Sequence, residues 1–328
     1  MKRETLNADI LLLLSAAIWG FAFVAQRAGM EHLGPFIFNG VRFALGGAVL
    51  VPLIIWRRRR SADRRMRPAA PLLRDGIIAG TVLFGGASLQ QWGIVSTSAG
   101  KAGFITGLYV ILVPILGLTI GQRTGRNTWL GALMAVAGLY LLSVRGGFRM
   151  ASGDLMVLGG AVFWAFHVQI IGRFVLRQDP LALASTQFFT VSAFSLITAS
   201  FLEDWNTQAL LSATGPILYA GLASTGIAYT LQVVAQRRAH PSHAAILLSL
   251  EAVFAVLGGW LLLSENLGPR ELTGCVIMLA GMLFSQLGGR RRQPHPPLIS
   301  ISPTMKKRPM MDDTRISPPA TRLSQTSD

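Results

Sequence analysis

Charged residues are scarce in this sequence. Only 14% of the 328 residues are Asp, Glu, Lys or Arg, against about a quarter in a soluble globular domain. A chain with so little ionic surface cannot cover a water-soluble core, and 51% of it is hydrophobic. There is a single cysteine, Cys275, which excludes an intrachain disulfide and any paired-cysteine motif. It lies in an apolar stretch and is expected to be a small packing residue. The sequence contains no G-x-S-x-G, no H-E-x-x-H and no G-x-x-x-x-G-K-[ST]. Hydrolase chemistry, zinc-protease chemistry and ATP hydrolysis by this chain are therefore not expected, and neither is a metal or cofactor. No A-x-A pattern follows the first apolar run, so that run reads as a retained helix rather than a cleaved signal peptide.

What the chain does contain is a series of apolar runs, each near the ~20 residues that an α-helix needs to cross hydrocarbon. Ten can be counted, at about 8–27, 35–56, 74–95, 99–120, 128–144, 154–175, 181–202, 214–235, 241–263 and 270–287. Gly and Pro mark the short connectors in HLGP, RQDP, ATGP, AHPS and LGPR, which suits helix starts and tight links. After residue 287 the composition turns to Pro, Ser and Arg without apolar period, and 288–328 reads as a disordered tail. The expected fold is an all-α integral membrane protein of ten transmembrane helices.

The net charge of +15 would suit a nucleic-acid partner, but its distribution argues against one. With a cytoplasmic N-terminus and ten spans, 24 of the 30 Lys and Arg residues fall inside, including eight from Arg57 to Arg74 and eight in the tail. Five fall outside (Arg27, Lys101, Arg145, Arg149 and Arg270), and Arg42 lies within a span. This asymmetry predicts that both termini are cytoplasmic in a cell membrane, because a missed helix would scramble the alternation.

The two halves also resemble each other. WLGALMAVAGLYLLS (129–143) matches ELTGCVIMLAGMLFSQ (271–286) at an offset of 143, and AGKAGFITGLYVILVPILG matches PSHAAILLSLEAVFAVLGG at an offset of 142. Upstream, SAAIWGFAFV resembles GGAVFWAFHV and pairs Trp19 with Trp164. Five helices per half is an odd number, so the second copy is expected upside down, as in secondary transporters that bind substrate near the midplane. The expected organisation is residues 1–7 as N-terminus, 8–144 as first repeat, 145–153 as external linker, 154–287 as second repeat and 288–328 as cytoplasmic tail.

The stretches AAIWGFAF, TSAGKAGFITGLYVILVP, WLGALMAVAGLYLLS and SLEAVFAVLGGWLLLSENL resemble the tandem domains of the EamA family in the drug/metabolite transporter superfamily. That resemblance implies a ten-helix carrier, not an enzyme, with amino acids or other small polar metabolites as cargo, exported by alternating access. A drug, amphiphile or lipid-carrier exporter is the alternative within the superfamily, and a non-transporting membrane scaffold is the alternative outside it. Two departures stand out. Ala252 follows Glu251 where the family usually has Pro, which removes a possible kink, and Gln122 stands where a loop Glu is common.

Polar residues inside the spans are the candidate site. Glu251 lies about ten residues into its run, hence about 15 Å deep in a hydrocarbon core about 30 Å thick. An acidic side chain there costs about 2.5–3.5 kcal/mol and is more often functional than not. It could bind a substrate amine, carry a proton or tie two helices together. Arg42 could hold an anionic group or anchor its helix. The repeat pairs Arg42 with Gln187, Gln90 with Gln232 and Tyr109 with Glu251, offering polar groups on both sides of the midplane, or helix-to-helix hydrogen bonds. Trp19 and Trp164 sit near mid-depth and could wall a chamber, and His167 could titrate or be satisfied by a neighbour. The expected partners are a small-molecule substrate, the bilayer and protons as candidate coupling ion. A second copy of the chain remains a candidate partner, and nucleic acid is not expected.

Overall fold

A computed structural model describes residues 3–60, 69–96, 99–143, 151–263 and 268–287. The expected tail (288–328) and most of the expected linker (145–153) lie outside the described residues. Among those described, every regular element is helical. In chain order these are α1 (Arg3–Gly29), α2 (Pro35–Arg60), α3 (Ala69–Ser96), α4 (Ala99–Gly107), α5 (Tyr109–Thr119), α6 (Arg126–Ser143), α7 (Ser152–Phe174) and α8 (Pro180–Leu202). They continue with α9 (Thr207–Ser212), α10 (Thr214–Leu218), a π-helical stretch (Tyr219–Tyr229), α11 (Thr230–Gln236), α12 (Pro241–Leu248), α13 (Glu251–Leu263) and α14 (Pro269–Leu287).

Among the described residues, eight helical runs are long and apolar enough to cross a membrane: Leu6–Gly29, Pro35–Arg60, Ala69–Ser96, Ala102–Thr119, Ser152–Phe174, Pro180–Leu202, Thr214–Gln236 and Pro241–Gly258. A shorter apolar helix, Leu272–Ser285, lies on α14. The remaining expected span, 128–144, corresponds to α6, whose first turn is polar (Arg126, Asn127 and Thr128).

The helix starts follow local chemistry. Pro180 opens α8 while the Asp179 carboxylate accepts from the N–H groups of Leu181 (3.1 Å) and Ala182 (3.0 Å). His240 precedes Pro241 in the same way and takes the Ser242 N–H on Nδ1 at 3.4 Å. The start of α2 has no such residue of its own. Its cap comes from Glu203, whose two carboxylate oxygens accept from Phe36 N–H (2.8 Å) and Ile37 N–H (2.7 Å). Helix α5 ends with Gln122 N–H on the Gly117 carbonyl (2.8 Å) and Gly121 N–H on that of Leu118 (3.0 Å). That closure needs a left-handed residue, and Gly121 supplies it with φ 77°.

Helix packing depends on small residues. Helix α2 lies along α8, α6 along α14, α3 along both α7 and α8, and α1 along α13. A Cβ built on Gly131 would come within 2.6 Å of the Gly281 carbonyl oxygen, so α6 and α14 touch backbone to backbone. Ser185 and Ser192 of α8 donate to the carbonyls of Gly47 (3.3 Å) and Gly40 (2.8 Å) on α2.

Two spans are interrupted at equivalent places. Helices α4 and α5 part at Leu108, where Leu108 N–H reaches back only three residues to Ile105 (3.2 Å). Helices α12 and α13 part at Ser249–Leu250, where Leu250 N–H takes the Leu247 carbonyl (3.3 Å). The second break sits beside Glu251 although Ala252 is not a proline. Tightening to i→i−3 bonding interrupts the helix without one.

Candidate functional site

A cavity of about 490 Å³, the open space at its mouth included, lies where these breaks face α1, α3, α7 and the π-helical stretch. Seven of the nine candidate residues line it: Trp19, Arg42, Gln90, Tyr109, Trp164, Gln232 and Glu251. His167 and Gln187 do not. They are completely buried behind the wall and bonded to each other, with His167 Nε2 and Gln187 Oε1 2.9 Å apart.

The aromatic wall is built around Tyr229, at the end of the π-helical stretch. Its ring meets Trp19 edge-on at 4.5 Å between centroids and stacks with Trp164 at 6.0 Å and 27°. It also contacts Phe43 (6.0 Å) and Phe188 (5.9 Å). The wide π turn leaves backbone carbonyls for neighbours to satisfy, as membrane-depth backbone requires. The Trp19 indole N–H donates to the Ser224 carbonyl (3.2 Å), and Ser15 Oγ donates to that of Ala228 (2.9 Å). Trp19 is thereby fixed by the element it faces.

A glutamine network also borders the cavity. Trp164 Nε1 donates to Gln90 Oε1 at 2.8 Å, Thr106 Oγ1 donates to the same oxygen at 3.4 Å, and Gln90 Nε2 donates to Gln26 Oε1 at 3.2 Å. Helices α1, α3, α4 and α7 are tied together through one amide. Gln232 instead donates to Gln236 Oε1 (3.1 Å), and Gln236 donates to the Val168 carbonyl (2.9 Å).

The two ionisable groups on the cavity form no ion pair with each other. Arg42 is 2% exposed; its Nε donates to Asn39 Oδ1 (2.9 Å), and its guanidinium lies 4.8 Å from the Phe43 ring centroid. Among the described residues no carboxylate forms an ion pair with it. Glu251 is 5% exposed and has Tyr109 as its polar neighbour, yet Glu251 Oε1 and the Tyr109 hydroxyl have no hydrogen-bond partner. A guanidinium and a carboxyl thus share one aromatic-walled chamber without neutralising each other. Such a chamber can hold a molecule carrying complementary charges.

Gln26, Phe23, Ser224 and Tyr229 also line the cavity and did not stand out in the sequence. Gln26 lies at the end of an apolar run beside Arg27, where a polar residue looks like a helix terminus. Tyr229 carries the signal that singled out the tryptophans, an aromatic residue well inside an apolar run. Among the described residues no three His, Cys, Asp or Glu side chains are grouped to hold a metal.

Comparison with known proteins gives this architecture relatives. The EamA-like transporter family model matches residues 6–144 and again 151–286. An uncharacterised transporter of Archaeoglobus fulgidus is 31% identical over 87% of this chain and 87% of its own length. An inner membrane transporter of Escherichia coli, YedA, is 26% identical over 83% of this chain and 88% of its own. A Salmonella typhimurium protein described as a probable amino-acid metabolite efflux pump is 26% identical over 86% of this chain and 96% of its own. A crystal structure covering 88% of this chain and 99% of the other superposes with a TM-score of 0.70 at 21% identity, a likeness of fold. With both matched segments together spanning nearly all of the helical chain, and a relative this similar along most of its length, the chain belongs to the EamA-like transporter family.

Proposed function

We propose that this membrane transporter is a secondary carrier that exports small zwitterionic metabolites, amino acids foremost, by alternating access around the cavity. The observation that carries the reading is the pairing of Arg42 and Glu251 on one aromatic-walled chamber with no ion pair between them. A substrate carboxylate meets the guanidinium, and its ammonium meets the Glu251 carboxyl with the faces of Trp19, Tyr109 and Tyr229 around it. The efflux activity in the name of the Salmonella relative points the same way. An amphiphilic cation would use Glu251 and the rings but would leave Arg42 as an opposing charge.

The carrier consists of ten spans in two inverted repeats, residues 8–144 and 154–287, with both termini in the cytoplasm. Support comes from packing that repeats itself. The contacts of α1 with α13 have their counterpart in those of α7 with α4 and α5. Those of α3 with α7 and α8 have theirs in the π-helical span with α1 and α2. Five pairs of cavity residues are also related by the repeat offsets: Trp19 with Trp164, Phe23 with Val168, Gln90 with Gln232, Thr106 with Leu248, and Tyr109 with Glu251. Coupling to protons runs through Glu251, the intramembrane carboxyl of the cavity.

Counterflow in proteoliposomes tests the substrate class, with radiolabelled amino acids set against amphiphilic cations. Exchange of at least one amino acid, abolished by Arg42→Gln, is expected. Exchange of amphiphilic cations alone would replace this reading with the drug-exporter one.

A further inference from the structure

Arg42 presents a cation to the cavity, yet the groups that hold it are neutral. Its Nε donates to Asn39 Oδ1 at 2.9 Å, and the ring centroids of Phe38 and Phe43 lie 5.6 and 4.8 Å from the guanidinium carbon. Asn39 comes three residues before Arg42 on α2, so the two share one side of that helix. Asn39 is fully buried, and its Nδ2 donates to the Ala87 carbonyl of α3 at 3.1 Å. The two partners fix the orientation of the amide. Arg42 Nε can only donate and a carbonyl can only accept, so Oδ1 faces the first and Nδ2 the second. The second half of the chain has a different residue here. At the offset that relates Arg42 to Gln187, Asn39 corresponds to Ala184, which is also fully buried. Helix packing at this place accommodates a methyl group and does not by itself call for an amide.

We infer that Asn39 is a positioning residue of the substrate site: it fixes the Arg42 guanidinium without cancelling its charge, and so sets the carrier's preference for substrates that bear a carboxylate. The assignment rests on the carrier reading above. An amide and a carboxylate could both hold Nε, but a carboxylate would form a charge-assisted pair and neutralise Arg42 before any substrate arrived. The amide supplies one carbonyl oxygen for Nε. Among the described residues no hydrogen bond occupies Nη1 or Nη2. With Nε taken, the end-on fork of those two nitrogens is what remains for a substrate carboxylate. The tie to α3 also orders the long side chain in advance, which lowers the entropy lost when a ligand binds. Asn39 does not line the cavity, so its effect passes through Arg42.

Binding to the purified protein tests this. The protein amino acids are each set against the amine of the same skeleton without the carboxylate, such as leucine against 3-methylbutylamine. For at least one pair the wild type is expected to bind the amino acid about tenfold more tightly than the amine, or better. Asn39→Asp is expected to erase that preference while the amine binds as before. Asn39→Ala, which copies the second half, is expected to weaken the amino acid and spare the amine, and it serves if Asn39→Asp does not fold. Equal weakening of both ligands, or variants that keep the wild-type preference, overturns the inference. A cycle of Asn39→Ala, Arg42→Gln and the double variant, followed by thermal midpoint, needs no ligand. Additive midpoints mean that the two side chains do not act together, and the inference falls. Coupled midpoints in a protein that binds no amino acid remove the substrate class, while the positioning of Arg42 by Asn39 stands.

Discussion

Glu251 brings together the cost and the use of charge in this molecule. A carboxyl with one oxygen unpartnered at cavity depth is expensive, and its surroundings neither neutralise it with Arg42 nor saturate it with hydrogen bonds. Glu251→Gln keeps the shape and removes the titratable proton. It is expected to slow amino-acid counterflow at least about tenfold, equivalent to roughly 1.4 kcal/mol, and to abolish any response to an imposed pH gradient. Unchanged counterflow and an unchanged pH response in the variant would remove Glu251 from coupling. Gln122 illustrates the opposite case. Its Nε2 donates to Gln169 Oε1 (2.9 Å), and Gln169 Nε2 donates to the Val113 carbonyl (2.7 Å), so it acts as a helix tie where a carboxylate is common in the family.

At the scale of elements, the helices are held by their ends and by their small residues. Glu203 caps α2 from the far end of α8, and Glu203→Ala leaves two N–H groups without that acceptor. A loss of about 1 kcal/mol is expected, visible as a lower midpoint of thermal unfolding in detergent. Gly131→Ala should cost more, about 1–3 kcal/mol, because the added methyl meets the Gly281 carbonyl at 2.6 Å and backbone has to move. If the Gly131→Ala protein melts with the wild type, the close approach of α6 and α14 is not what holds them. The breaks at Leu108 and Ser249–Leu250 belong to this scale too. Each places the following residue, Tyr109 or Glu251, on the cavity.

For the whole molecule, polar clamps sit at both ends of the helical bundle. At one end Arg177 (3.0 Å) and Gln178 (2.7 Å) hold the fully buried Asp75, and His243 meets Asp9 at 2.9 Å. At the other, Arg27 Nη1 donates to the Ile94 carbonyl at 2.7 Å, and Glu203 holds α2. Under the proposed alternating access these sets open in turn. Basic residues concentrate at the Arg57 end, so reporters that are active only in the cytoplasm should be active at both termini. They should be silent when inserted near residue 147. Activity at that insertion would reverse the proposed orientation.

The amino-acid sequence alone dictates the solvent and the segments. Scarcity of charge and recurrent apolar runs dictate a membrane protein, and the Pro-marked starts at Pro35, Pro180 and Pro241 coincide with the observed helix starts because proline's fixed φ and missing N–H suit a first turn. It also singled out seven cavity residues, since a polar or aromatic group deep in an apolar run shows in one dimension. Tertiary structure alone decided which side of each helix faces the cavity. Rotation about a helix axis is set by neighbours, so equally buried glutamines separate into Gln90 on the wall and Gln187 behind it. The π turn that presents Tyr229 likewise has carbonyls satisfied by another helix, and no residue in the linear sequence announces it or the break beside Glu251.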